Sequence, residues 1–115
     1  MKDINGQISY NGKEIPMVFN LNVMEKIQDE YGSLNAWADM TDARQKEPNA
    51  KAVIFGVTEM INEGIDIQND LNGTNEPFYT RKQVGRIITE YGLAKVTQTL
   101  NQTVIESTQA NEKNA

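Results

Sequence analysis

The stretch that decides the fold is Phe19-Asn20-Leu21-Asn22-Val23-Met24-Glu25-Lys26-Ile27-Gln28-Asp29-Glu30-Tyr31-Gly32. Met24, Ile27 and Tyr31 recur at the three- and four-residue spacing of one helical face, with Val23 beside them. Asn22 and Glu25 have the spacing of a capping box, in which the amide oxygen accepts from a backbone N–H and the carboxylate reaches back. Asn20 is the competing cap, and it would set Phe19 and Met24 across the first turn as a hydrophobic staple. Gly32 ends the helix because glycine takes a left-handed conformation without a Cβ clash. Before this helix the chain reads as β-ribbon, and after it as helix.

Working upstream, residues 3–10 and 13–19 read as two strands of a hairpin. Ile4, Ile8 and Tyr10 share one parity and Ile15, Met17 and Phe19 another, each set with mostly polar neighbours. Asn11-Gly12 between them suits a type I′ turn, which needs positive φ at both central residues. Pro16 cannot donate to a ladder, so the second strand is expected at an edge or only partly paired. A lone hairpin is marginal in water. It must lie on the helices or add to another chain's sheet.

Downstream, Ser33 caps a short helix at 33–40 carrying Leu34, Trp37 and Met40. Trp37, the only tryptophan, reads either as a core or lid residue over the first helix or as an anchor for a partner. Pro48 sits near the start of the next helix, expected over 49–63. There Ala50, Val53, Ile54, Val57, Met60 and Ile61 form one broad apolar face, with Phe55 off it, so this is the central buried helix. Gly56 in its middle costs about 1 kcal/mol against alanine, which points to close helix packing. Gly64 is read as its stop.

Residues 65–79 show no helical period. Ile65 and Ile67 suggest a brief strand, followed by the turn-rich Asn69-Asp70-Leu71-Asn72-Gly73-Thr74-Asn75. Asp66, Asp70 and Glu76 lack the alternating oxygen ligands of a calcium loop, so a solvated loop without metal is expected. Phe78 and Tyr79 end it. Thr80 and Gln83 then form a capping box for a helix over 80–91, with Val84, Ile87, Ile88 and Tyr91 on one stripe. After Gly92 a last helix over 93–106 would turn Leu93, Val96, Leu100 and Val104 inward. Residues 107–115 read as a polar, disordered tail. The expectation is one mainly α domain over 1–106 with a short N-terminal β-hairpin, an α+β chain built as a small helical bundle.

Composition removes several functions. With 11 Lys+Arg against 16 Asp+Glu in 115 residues the net charge is −5, the wrong sign for a nucleic-acid surface. There is no cysteine and no histidine, which removes thiolate chemistry, the usual general base and the commonest metal ligand. Neither a glycine-rich phosphate loop nor a nucleophile–base pair is present, so no enzyme and no cofactor are expected. No apolar run approaches the about 20 residues of a membrane span, and Met1-Lys2-Asp3-Ile4-Asn5-Gly6 lacks the apolar core of a signal peptide. These features point to a soluble cytosolic protein.

The order of motifs resembles a known family. A hairpin holding Tyr10-Asn11-Gly12-Lys13 leads into Phe19-Asn20-Leu21-Asn22. A helix ending Glu30-Tyr31-Gly32-Ser33 follows, then a long apolar helix with Met60-Ile61-Asn62-Glu63-Gly64 and a final helix pair. Over roughly residues 6–105 this resembles the tail assembly chaperones of long-tailed bacteriophages and prophages of Gram-positive hosts. The resemblance implies a helical protein of the host cytoplasm that coats the tail tape measure protein, recruits tail tube protein subunits around it and is not retained in the mature virion. It also implies a short form, matching this chain, beside a frameshifted long form, and a capacity for self-association. Trp37, Met40, Phe78 and Tyr79, apolar residues near loops, are the expected protein-binding residues. The alternatives are a structural virion component of the tail or head–tail connector, and a small acidic regulatory binding protein.

Overall fold

The computed structural model describes residues 4–42, 44 and 47–113. Two strands, β1 (Ile4–Tyr10) and β2 (Lys13–Phe19), precede five helices: α1 (Leu21–Tyr31), α2 (Leu34–Thr41), α3 (Ala50–Asn72), α4 (Arg81–Tyr91) and α5 (Leu93–Lys113). This is the expected mainly helical α+β chain with an N-terminal antiparallel hairpin.

The hairpin closes as its turn residues require. Asn11 and Gly12 have φ of 50° and 74°, and Tyr10 pairs with Lys13 across them. Counting outward from that closing pair, hydrogen-bonded and non-bonded pairs alternate, so the Gln7–Pro16 pair falls at a non-bonded position. Proline's missing N–H therefore costs the ladder nothing. The backbone nitrogen of Pro16 points away from β1, toward the side where α3 lies. Gly64 of α3 comes so close that a Cβ there would stand 3.2 Å from Pro16 Cγ and 3.3 Å from its carbonyl oxygen. Helix α3 thereby covers the outer edge of β2. The hairpin lies on the helices of its own chain.

On the other strand, Gly6 marks a second close approach. A Cβ at Gly6 would overlap the Thr103 hydroxyl of α5 and stand 3.3 Å from Thr99 Cγ2. The core joins Ile8, Ile15, Met17 and Phe19 of the hairpin to Val23 and Ile27 of α1, Val57 and Ile61 of α3, Ile87 of α4, and Val96 and Leu100 of α5.

Four expectations are corrected. The first concerns α3, which does not stop at Gly64 but runs to Asn72, so Ile65 and Ile67 are helical and not a strand. Ile65 is buried and extends the Val57–Ile61 stripe by one more turn. Gly64 is present for the approach of Pro16, while the stop is Gly73, left-handed at φ 64°, with its N–H on the Asn69 carbonyl. The second concerns α1, whose cap is Asn20: its Oδ1 accepts from Val23 N at 3.2 Å. Asn22 lies one position inside the helix and sends its amide to Glu63 of α3 at 3.0 Å, so it makes no box with Glu25. The third concerns Leu93, which is 40% exposed; Thr97 and Thr103 share the inner face of α5 with Val96 and Leu100. The fourth is that the helical backbone of α5 continues to Lys113, past the expected start of a disordered tail at 107. Asn114 and Ala115 lie outside the described residues.

Candidate protein-binding surface

Trp37 is only 1% exposed, and its Nε1–H donates to the Ala52 carbonyl of α3 at 3.0 Å. The indole rests against Gly56, which is why a glycine stands in the middle of the central helix. Of its two readings Trp37 takes the first: it is a core residue, and its indole is not exposed as an anchor. One edge of it borders a groove of about 890 Å³ between α2 and α5, together with Ala38, Gln98 and Ile105. Met40, 39% exposed near the end of α2, does not line that groove.

Phe78 and Tyr79 belong to a different surface. The chain between α3 and α4 turns back along α3, and two asparagines of α3 hold it there. Asn62 donates its amide to the Tyr79 carbonyl at 2.9 Å and accepts from the Tyr79 N–H at 2.8 Å. Asn69 does the same for Glu76, donating to its carbonyl at 3.1 Å and accepting from its N–H at 2.9 Å. It also accepts from the Thr74 hydroxyl at 2.9 Å. Each side chain imitates the peptide group of a neighbouring strand.

The spacing makes this double clamp possible. Seven residues advance a helix by about 10 Å. Three residues of an extended, polyproline-like chain advance by about 9 Å. Two asparagines seven apart on the helix can therefore hold two residues three apart in the connection. Pro77, between the held residues, fixes its own φ and restricts Glu76 to extended backbone.

This frame presents Phe78, which is 56% exposed, while Tyr79 is half-buried against the core. Phe78 forms the common wall of two hollows. One, of about 430 Å³, lies against the hairpin beside Pro16 and Ile65. The other, of about 170 Å³, lies against α1 and α3 beside Val23 and Asn62. Glu63 in the smaller hollow is held by two amides, from Asn20 at 2.7 Å and Asn22 at 3.0 Å, which ties the start of α1 to α3. Of the four candidate binding residues, Phe78 and Tyr79 come together, whereas neither Trp37 nor Met40 lines the hollows beside Phe78.

A second local feature is the Tyr31 hydroxyl, whose oxygen has almost no exposed surface and no hydrogen-bond partner. The Tyr31 ring meets Phe55 edge-on, with centroids 5.5 Å apart, and the Arg81 guanidinium lies 5.9 Å from the Phe55 centroid. Burial pushes the Tyr31 phenol above its ordinary value and the nearby Glu30 charge adds to this, with Arg81 opposing.

Asp66 and Asp70 stand on α3 and Glu76 in the clamped connection. Among the described residues no group of three or more carboxylates, histidines or cysteines could hold a metal ion. Among them, too, no helix is long and apolar enough to cross a membrane. The residues missed in the sequence are Asn62 and Asn69. Their signal was a seven-residue spacing on the polar side of an apolar stripe, followed by Glu76-Pro77-Phe78. No protein-family model, curated protein or solved structure matches this chain.

Proposed function

We propose that this chain is a non-catalytic assembly chaperone that works by binding another protein, of the kind found among phage tail assembly chaperones. In this reading it covers the apolar stripes of the tape measure protein in the host cytoplasm, brings tail tube subunits to it, and leaves before the virion is complete. The observation that carries the reading is Phe78. Its aromatic ring is more than half exposed while the backbone on both sides of it is held by side-chain amides. Such a frame suits a residue that meets a partner, because little conformational entropy is lost on binding. The order of elements that resembles the chaperone family adds to this.

The test is co-expression with a phage tail tape measure protein. The expected result is co-purification of the two and a soluble tape measure protein that aggregates when expressed alone. Failure to bind any tape measure segment, together with stable retention in purified virions, would overturn the proposal in favour of a structural virion component.

A further inference from the structure

We infer that the surface around Phe78 is a seat for an amphipathic helix whose apolar stripe is flanked by lysine or arginine. The inference rests on the reading of the chain as a protein binder, and adds where the partner sits and what its chemistry must be. Two independent features define the occupant. The first is shape: Phe78 is a ridge with a hollow on each side. On a helix, side chains three or four residues apart have Cβ atoms about 5–6 Å from each other. One such side chain can enter each hollow while the Phe78 ring inserts between them, as a knob enters a hole. An extended peptide, with neighbouring side chains on opposite faces, cannot fill both hollows with adjacent residues.

The second feature is charge. The two hollows carry five carboxylates, from Glu14, Glu59, Glu63, Asp66 and Glu76. Against these stand only two ammonium groups, from Lys13 and Lys26. The one ion pair among the described residues, Arg44 with Asp42, lies elsewhere. None of the five carboxylates around Phe78 forms an ion pair: Glu14, Asp66 and Glu76 are exposed, Glu59 is half-buried, and Glu63, though held by the Asn20 and Asn22 amides, has no cation beside it. On α3, Glu59, Glu63 and Asp66 follow the four- and three-residue spacing of one helix face. A helix laid along them would meet this row with cations beside its apolar stripe, and an acidic helix would be repelled.

The experiment is calorimetric titration of the full chain with two synthetic helical peptides of about 18 residues, or five turns. Both carry the same leucine stripe at i, i+3, i+4 and i+7, flanked by lysine in one and glutamate in the other. The expected result is that the lysine peptide binds at least about tenfold more tightly than the glutamate peptide. Phe78→Ser should weaken it about tenfold or more, with the thermal midpoint of the free protein little changed. The double variant Asp66→Lys, Glu76→Lys should weaken the lysine peptide and strengthen the glutamate peptide. The control Asp39→Lys, Glu90→Lys makes the same change in net charge at exposed positions on α2 and α4 that line neither hollow, and should leave affinity within about twofold of the parent. Equal binding by parent and Phe78→Ser overturns the inference. So does an equal loss in the control, which would make the attraction one of net charge alone. These outcomes leave co-purification with the tape measure protein untouched, so failure of the seat and failure of the chaperone reading are separable.

Discussion

The backbone of Gly56 packs directly against the indole of Trp37: a methyl group on Gly56 would overlap Cζ2 and stand 3.0 Å from Cε2 and 3.2 Å from Nε1. The indole cannot retreat without breaking its bond to the Ala52 carbonyl. Alanine would gain up to about 1 kcal/mol of helix propensity, but overpacking a rigid aromatic costs about 1–3 kcal/mol. Gly56→Ala is expected to be net destabilising in urea denaturation, with α2 the element that loosens.

The two clamps should differ in strength. Asn62 is half-buried and its bonds hold the residue that leads into α4, whereas the bonds of Asn69 are exposed. Asn62→Ala is expected to cost about 1–3 kcal/mol, through two lost hydrogen bonds and backbone groups left unpaired. Asn69→Ala should cost less. Native-state hydrogen exchange provides the finer reading: the Tyr79 amide should exchange faster in the first variant and the Glu76 amide in the second.

The start of α1 can be tested in the same way. Asn20 caps the helix and also donates to Glu63, while Asn22 only donates. Asn20→Ala should cost about 1–2 kcal/mol, and Asn22→Ala only a few tenths to about 1 kcal/mol. Thermal melts that ranked them in the opposite order would restore the cap to Asn22.

Tyr31→Phe removes a buried hydroxyl that has no partner. The ring contact with Phe55 is kept, so the variant should equal or exceed the parent in stability, by up to about 1 kcal/mol. There is a pH consequence as well. The folded-state phenol is raised above its unfolded value, so the stability tied to its protonated form is complete below about pH 10. It is lost as pH rises through the folded value. Phenylalanine should lessen this alkaline loss, which denaturation at pH 9 and pH 11 would show.

Much of the fold was legible because local signals and burial agree. Asn11-Gly12 named the turn, Ser33 and Thr80 the caps, and Gly56 a close approach, and each holds that role. Thr80 and Gln83 complete the reciprocal box, at 3.1 and 2.8 Å. The reading failed where one residue type serves two purposes. Gly64 looked like a helix stop, but it is a small residue against a neighbouring strand. Asn22 looked like a cap, but its amide satisfies a carboxylate 41 residues away. The clamps were hidden for a related reason. Tyr79 and Glu76 lie 17 and 7 residues from the asparagines that hold them, so no window of helical or strand period contains the pattern. Exposure was equally hard to foresee: among four apolar residues near loops, Trp37 is buried and Phe78 is not.

The meeting of Gly6 with Thr103 spans nearly the whole chain and sets the order in which the protein can finish folding during synthesis. The hairpin pairs neighbouring residues, and α1 and α3 can pack on β2 before α5 is made. Its face toward α5, however, has nothing to lie against until the last helix leaves the ribosome. Pairing residues so far apart is slow, because a long loop must close before the contact contributes. A nascent chain halted before α5 would hold a formed hairpin with part of its apolar face open to any other surface nearby. The ribbon of β1 and β2 is thus made before the helix that seals it, with α5 as its lid.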